Sequence, residues 1–206
     1  MTKAYALLIL IMATVSGCAT MDKSECLTAD WRTIGFEDGA NGKAETAISE
    51  YRQDCADHGV APDLSAYQQG HREGSERFCT RRNGFMVGKR GGGYQNSCPA
   101  KLEAVFLPAY RDGKALYNLQ RELNSARSAL DKQQRLLAQL EHDISVKTEM
   151  LVEDGLIKEE RVAILADIEV LKAELVDAAH QLPQLEREIR RAEKAYAQAE
   201  QRFAHY

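Results

Sequence analysis

The chain has 206 residues, 44% of them hydrophobic, with a formal net charge of −4 and a pI near 5.8. This length allows a modest core together with an extended part. The balance of charge gives no broad positive field, so nucleic acid is excluded as an expected partner. Beyond the first residues, no apolar run approaches the length of a membrane-spanning helix.

The first 17 residues have the layout of a secretory signal. Lys3 precedes an apolar run over 4–15, which is too short to remain as a membrane-spanning helix. The following Val15-Ser16-Gly17-Cys18 resembles the lipobox of bacterial lipoproteins. The resemblance implies that Cys18 is diacylated, and Ala19 after it implies sorting to the outer membrane. The acyl chains would be the only membrane anchor and would hold permanently. An ordinary signal that leaves a free thiol is the alternative.

The even number of remaining cysteines predicts two disulfides in an oxidising compartment. They are Cys26, Cys55, Cys79 and Cys98. No C-x-x-C spacing occurs, which argues against a zinc ribbon or a redox pair. Three pairings are possible. If the first two helices form a short hairpin, the start of one lies beside the end of the other and Cys26 meets Cys55. Cys79 and Cys98 would then close the loop between them.

Residues 18–27 are interpreted as a short lipidated tether and 28–115 as a small helical domain with a glycine-rich loop. Its first helix would be capped by Thr28, its second would run from about 43 to 58, and Asp63 would cap a third from about 64 to 79. These boundaries follow from capping residues and from glycine or proline stops.

A glycine-rich segment and two prolines follow. The glycines between 80 and 97 predict a long ordered loop or a short irregular hairpin. Pro99 opens the next helix, and Pro108 either restarts or kinks that helix.

Three of these segments share an aromatic residue followed by glycine at helical spacing. They are Trp31/Gly35/Gly39, Tyr67/Gly70/Gly74 and Tyr110/Gly113/Tyr117. Glycine inside a helix costs about 1 kcal/mol relative to alanine, so the placement needs a compensating gain. Close packing of another helix or ring in the groove is favoured over a ligand groove. The three segments suggest a weak internal repeat but do not establish one.

A family resemblance rests on these aromatic–glycine segments, on Cys26 and on the segment from Gly91 to Pro99. They resemble a family of small proteobacterial lipoproteins, catalogued as domain of unknown function twenty-seven ninety-nine. The resemblance covers roughly 26–117 with all four cysteines in place. It implies no activity and no catalytic residue.

Residues 116–206 carry heptad repeats typical of a coiled coil. One register holds the row Leu116, Leu123, Leu130, Leu137, Ile144 and Leu151, with Leu119, Ala126, Gln133, Leu140 and Lys147 beside it. A second starts at Ile157, continues through Ile168 to Phe203, and is interrupted only by Arg161. The phase slips at Asp154-Gly155, which favours a helix end there and an antiparallel hairpin. One continuous helix that dimerises in trans is the alternative. Pro183 should kink the second helix or interrupt its hydrogen bonds.

Signatures of catalysis or of cofactor binding are weak. The segment from Gly84 to Arg90 is one residue short of a P-loop, and Cys55-x-x-His58 lacks the second cysteine of a haem site. No H-x-x-x-H pair occurs. We therefore expect no enzyme, no cofactor and no metal site.

Six cations form the one candidate for a binding surface: Arg72, Arg77, Arg81, Arg82, Lys89 and Arg90. They either form a solvated face that pairs with the acidic coiled coil or contact anionic envelope material such as peptidoglycan or lipid headgroups. The expected function is that of a non-catalytic outer-membrane lipoprotein whose folded part faces the periplasm. Its coiled coil would bind an envelope protein partner. A binding module for an anionic ligand is the alternative.

Overall fold

The computed structural model describes residues 21–206. This part is helical, with no strand among the described residues, and confirms the predicted all-α fold with two disulfides and a long antiparallel hairpin. The predicted signal peptide and Cys18, the predicted site of lipidation, lie outside the described residues. In chain order the elements are α1 (Lys23–Thr28), α2 (Trp31–Ala40), a 3-10 turn (Glu45–Ala47), α3 (Ile48–Ala56), α4 (Leu64–Phe78), α5 (Arg81–Lys89), α6 (Ala100–Met150) and α7 (Lys158–Arg202).

Two compact units divide the chain. The first comprises the described part of Met1–Phe78 together with Gln95–Ser97, and the second comprises Cys79–Tyr94 with Cys98–Tyr206. α6 runs without interruption through 115–116, where the sequence suggested a boundary between the helical domain and the hairpin. The second unit therefore contains both one disulfide of the predicted domain and the whole hairpin.

Aspartates cap three helices of the first unit, α1, α2 and α4. Asp30 caps α2 by accepting hydrogen bonds from two backbone amides of the first turn, at 3.1 and 3.2 Å. Asp63 caps α4 as predicted, with its Oδ1 3.0 Å from the amide of Ala66. Thr28, which was predicted as the first cap, is instead the last residue of α1. A carboxylate satisfies the amides and also complements the helix dipole, so Asp30 takes the cap.

Residues 21–28 are folded rather than extended. Asp22 and Glu25 form a capping box at the start of α1. The backbone amide of Met21 donates to Asp54 at 3.2 Å, and both Met21 and Cys26 are buried. Residues 21–27 of the predicted short tether therefore belong to the folded unit, and 18–20 lie outside the described residues.

The first unit is built on two parallel helices whose main chains touch. Gly35 on α2 faces the backbone oxygen of Tyr67, and Gly39 faces that of His71. Gly70 and Gly74 on α4 face backbone oxygens of α2 in the same way. A Cβ at any of these four positions would overlap the partner's main chain. This confirms close helix packing as the reason for these glycines.

Residues 81–89 form a helix where a loop or irregular hairpin was predicted. Thr80 caps α5 by accepting a hydrogen bond from the amide of Asn83 at 3.2 Å. The prediction was wrong because Gly84 and Gly88 were taken as loop residues, whereas both are buried against α6. Only the segment after α5, which contains Gly91–Gly93, is a loop.

The pair α5 and α6 repeats the arrangement of α2 and α4. Gly84 and Gly88 face the backbone oxygens of Phe106 and Tyr110, and Gly113 faces that of Phe85. Each pair also has a glycine of positive φ at which an added Cβ would overlap an aromatic ring, Gly42 with Phe78 and Gly91 with Tyr117. The two pairs therefore match position by position. On the first helix of each pair and just after it, the matching positions are Gly35/Gly84, Phe36/Phe85, Gly39/Gly88 and Gly42/Gly91. On the second helix they are Tyr67/Phe106, His71/Tyr110, Gly74/Gly113 and Phe78/Tyr117.

The helices α6 and α7 form the predicted antiparallel hairpin. The turn contains Gly155 at φ +93°, a conformation that glycine adopts at no steric cost. The predicted heptad rows are buried or half-buried along both helices, with Leu123, Leu140, Ile168 and Ala178 among the buried members. Ile157 is the exception, because it forms the exposed N-cap of α7 rather than part of the seam.

Polar residues in the seam bond across the hairpin. Gln133 donates to the backbone oxygen of Ala178 at 2.9 Å. Lys147 pairs with Asp167 at 2.7 Å. Arg161, which interrupts the predicted register, donates to the backbone oxygen of Leu151 and to that of Glu153, the latter at 3.1 Å. These contacts select one antiparallel register, which a purely apolar seam would specify less strongly.

Three prolines lie on the long helices. Pro99 is the N-cap of α6, so the helix opens there as predicted. α6 continues through Pro108, and α7 continues through Pro183. Pro183 has no amide to donate to the carbonyl four residues earlier. The helix nevertheless continues, with the bond from Gln133 to Ala178 close to this position.

The far end of α7 closes the core of the second unit. The ring of Tyr206 stacks on Phe85 with centroids 4.4 Å apart, and Phe203 lies 6.1 Å from Phe85. The Tyr206 hydroxyl donates to Asp112 at 2.6 Å. Phe85, Ala109, Leu116 and Phe203 form one buried cluster, so the hairpin and the α5/α6 pair share a core.

Candidate functional site

The six cations predicted as a binding surface lie on two helices. Arg72 and Arg77 are on α4 in the first unit, whereas Arg81, Arg82, Lys89 and Arg90 lie on α5 or at its C-cap in the second. All six are exposed. Within residues 21–206 none of them forms an ion pair, so the predicted pairing with the acidic coiled coil does not occur there.

One face of α5 combines cations with an exposed methionine. Arg82, Met86, Lys89 and Arg90 follow the spacing of a single helical face. The Met86 side chain is 42% exposed. Arg81 lies off this face, with its guanidinium 5.1 Å from the ring centroid of Tyr206. The second unit thus presents three cations around an apolar centre, a surface that we call the α5 face.

The surroundings of the α5 face contain no acidic residue in sequence. Between Cys79 and Leu102 there are five cations, Arg81, Arg82, Lys89, Arg90 and Lys101, and no aspartate or glutamate. Cations so close together raise the local potential and favour an anionic partner.

Both predicted disulfides are present. Cys26 bonds Cys55 and Cys79 bonds Cys98, as predicted. The reasoning for the first pair needs one change, because Cys26 lies on α1 rather than at the start of the helix that carries Trp31. In each unit the bridge joins the segment before the first helix of a glycine-packed pair to the connector before the second.

A buried carboxylate organises the core of the first unit. Asp38 is 4% exposed and accepts hydrogen bonds from the hydroxyls of Tyr51 and Tyr67, at 2.8 and 2.9 Å. Its other oxygen pairs with Lys43 at 2.6 Å. A buried charge is stable only when paired and fully hydrogen-bonded, and Asp38 meets both conditions. We call these four residues the Asp38 cluster.

The surroundings of Lys43, Tyr51 and Tyr67 in this cluster raise the pKa of each. The hydrogen bond to Asp38 raises the pKa of Lys43 above its ordinary value. Burial raises the pKa of Tyr51, and burial followed by the hydrogen bond to Asp38 raises that of Tyr67. The tyrosines therefore stay protonated and the lysine stays charged, which suits a structural network better than proton transfer near neutral pH.

A serine and a histidine lie beside the cluster. Ser75 Oγ is 3.4 Å from His71 Nδ1, but it donates more closely, at 2.6 Å, to the backbone oxygen of His71. Ser75 is fully buried, and His71 is 3% exposed. A nucleophile must be reachable by its substrate, so this pair has a structural role.

The first unit also has a surface groove of 340 Å³. It is lined mainly by apolar side chains from the 3-10 turn, α3, the segment before α4 and the start of α4, and Arg52 is also part of the lining. The lining contains no carboxylate, histidine or cysteine. Among the described residues there is also no cluster of histidine, cysteine or carboxylate side chains that could hold a metal ion.

The distal part of the hairpin carries most of the exposed apolar surface. Of thirteen large hydrophobic side chains that are exposed in residues 21–206, nine lie between 136 and 176. They are Leu136, Val146, Met150, Val152, Ile157, Val162, Leu165, Val170 and Val176. No helix in this part of the chain combines the length and hydropathy that a membrane span requires.

Sequence reasoning missed two features of these sites. The Asp38 cluster joins residues from α2, the segment after α2, α3 and α4, and no local spacing indicates that they meet. The α5 face was not recognised because Gly84 and Gly88 of the same helix were assigned to a loop. The available signal was the spacing of Arg82, Met86, Lys89 and Arg90, which places them on one face only if the segment is a helix.

Comparison with known proteins gives one family match, over residues 30–115, and no function. Residues 30–115 match the model of a family described as Protein of unknown function (DUF2799), which confirms the resemblance carried by the cysteines and the glycine phrases. No curated protein and no solved structure matches the chain.

Proposed function

With residues 30–115 as a domain of the DUF2799 family, we propose that the chain is a non-catalytic lipoprotein of the outer membrane. The lipid on Cys18 anchors it, and its folded part faces the periplasm. The hairpin of α6 and α7 makes contact with an envelope protein. The lipobox-like sequence before Cys18 supports the anchor, and the two disulfides fit an oxidising compartment.

The concentration of exposed apolar residues on the distal hairpin carries the proposal of a protein contact. The seam between α6 and α7 uses the heptad rows internally, so those rows are not available to a partner. The nine exposed side chains between 136 and 176 lie outside the seam. Clustered exposed apolar residues are typical of interaction surfaces, whereas single ones are normal anywhere.

A shortened hairpin tests this contact. Gln133 and Ala178 lie opposite each other across the seam, so residues 134–177 can be removed and 133 joined to 178 by a short glycine-containing turn. This keeps Phe203 and Tyr206 on Phe85, which a deletion from residue 116 onward would remove. Crosslinking in intact envelopes should lose the protein partners of the full chain, while membrane attachment persists.

The matched control keeps the arm and changes only solvated charges. Glu169 and Lys172 pair with each other on the surface of α7, and the variant Glu169→Ala/Lys172→Ala should retain every crosslinked partner. If the shortened hairpin keeps the same partners as the full chain, the proposed role of the hairpin is wrong.

The α5 face supports a second candidate, a binding module for an anionic envelope ligand. The carboxylate-free stretch around Arg82, Lys89 and Arg90 favours such a ligand. The variant Arg82→Gln/Lys89→Gln/Arg90→Gln should then lose co-sedimentation with isolated peptidoglycan or with phosphatidylglycerol vesicles. The shortened hairpin should bind as the full chain does. This candidate is refuted if the triple variant still binds and the shortened hairpin does not.

A further inference from the structure

The tip of the hairpin is an apolar centre surrounded by carboxylates. Val152 is 83% exposed and Ile157 is 58% exposed. Glu153, Asp154, Glu159 and Glu160 are all exposed around them, with Lys158 as the nearest lysine. Arg161 donates to the backbone oxygens of Leu151 and Glu153. Together with Lys158 it supplies two positive charges against the four carboxylates, so the surface remains net negative. We call this surface the hairpin tip.

The hairpin tip is the electrostatic opposite of the α5 face. On α5, Met86 is exposed between Arg82, Lys89 and Arg90. Each surface has an apolar centre and a charged rim, and the two rims have opposite signs. Apolar burial at the centre and opposite charges at the rim are the features of complementary protein surfaces.

The two surfaces cannot meet within one chain. Both belong to the second unit, where Gly88 on α5 lies against Tyr110 of α6. The hairpin tip begins after Met150, at the other end of the same helix. At 1.5 Å per residue these points are about 60 Å apart along α6. The complementary surface must therefore come from another molecule.

We propose that the hairpin tip of one copy of this chain docks on the α5 face of a second copy. The contact is heterologous, so each copy has one tip and one α5 face to offer, and repetition extends the assembly instead of closing a symmetric dimer. The contacting area is small, which makes each contact weak and dependent on salt. This inference deepens the proposed function, on which it rests, by naming the partner of the hairpin.

Paired cysteines in the full chain test the contact. A copy with Met86→Cys is mixed with a differently tagged copy with Val152→Cys, both in nonionic detergent, and a short bismaleimide is added. The native Cys26, Cys55, Cys79 and Cys98 are in disulfides. Chains without added cysteines measure the background, which includes any copies whose Cys18 carries no lipid. The matched control pairs Met86→Cys with Val170→Cys, whose position is 58% exposed in the middle of α7.

The expected yield from positions 86 and 152 is at least tenfold above that from 86 and 170. It should fall severalfold between 0.1 M and 1 M salt, because the screening length shortens from about 10 Å to about 3 Å. A yield no greater than the control overturns the proposal. Joining of two Val152→Cys copies with equal efficiency also overturns it, since that would indicate a symmetric contact between tips.

A charge exchange separates specific docking from general adhesion. Arg82→Glu/Arg90→Glu in the first copy should abolish the crosslink, and so should Glu153→Arg/Asp154→Arg in the second. Combining the two reversed copies should restore it, with circular dichroism showing that each remains helical. Failure to restore the crosslink refutes the docking. If that happens while the shortened hairpin still loses envelope partners, the proposed function stands with a different partner.

Discussion

At the scale of single residues, glycines determine how closely the paired helices approach each other. In the second unit, Gly88 lies against the backbone oxygen of Tyr110, where no side chain fits. Gly93 has the opposite surroundings, with no atom within 4 Å of an added Cβ. Because the two glycines lie close in sequence but differ in packing, they provide a direct measure of what the contact contributes.

Gly88→Ala should lower the free energy of unfolding by about 1–3 kcal/mol, the usual cost of overpacking. The loss should appear even though alanine favours helix by about 1 kcal/mol. Urea unfolding followed by circular dichroism measures it. Gly93→Ala should change the free energy by no more than about 0.5 kcal/mol. Equal effects at both positions would contradict the main-chain contact.

The Asp38 cluster makes the first unit sensitive to alkaline pH. Lys43, Tyr51 and Tyr67 each have a raised pKa in the folded state. As the pH rises above about 10, the unfolded chain releases these protons while the folded chain retains them. The free energy of unfolding should therefore be greatest below pH 10 and should decline above it.

Tyr67→Phe should flatten this decline, because one of the retained protons is absent. Urea unfolding at several pH values from 8 to 11 measures the slope. Tyr117→Phe is the control, since it keeps the ring beside Gly91 and leaves the Asp38 cluster intact. An unchanged slope in Tyr67→Phe would show that Tyr67 does not contribute to the pH dependence.

At the scale of elements, periodicity predicted the hairpin because α6 and α7 each bury one continuous row. The slip at Gly155 marked the turn. The same reasoning failed for α5, where buried glycines left no apolar row to detect. It also missed α1, a helix of 6 residues whose place depends on the bond from Cys26 to Cys55 and on the burial of Met21. Long elements carry their own signal, whereas short ones depend on distant partners.

Arg161 stabilises the end of α6 from the start of α7. Arg161→Ala removes its hydrogen bonds to the backbone oxygens of Leu151 and Glu153. Amide hydrogen exchange over 147–153 should become faster, and the free energy of unfolding should fall by about 1 kcal/mol. Lys172→Ala, which removes an exposed pair with Glu169, should cost no more than about 0.5 kcal/mol. Unchanged exchange in Arg161→Ala would contradict the capping role.

At the scale of the whole molecule, the proposed lipid anchor on Cys18 would decide where both units work. We expect Cys18→Ser to release the protein from membranes or to leave its precursor uncleaved, because the serine hydroxyl cannot accept the thioether-linked lipid. Fractionation of cells separates these outcomes from normal attachment. Alkaline extraction of the wild-type protein is the control, since lipid-held protein stays with the membrane. Normal fractionation of Cys18→Ser would refute the lipoprotein assignment.

The main-chain contact of the two helix pairs also limits how this protein diverges during evolution. Where backbones touch, as between Gly35 and Tyr67 or between Gly84 and Phe106, the contact depends on the glycine and on the partner's carbonyl rather than on the partner's side chain. The partner's residue type can therefore drift while the glycine cannot. The matching positions of the two pairs are those expected if one ancestral helix pair was duplicated and its outward-facing residues then changed freely. Distant relatives should be recognisable by glycine spacing after overall sequence identity has been lost.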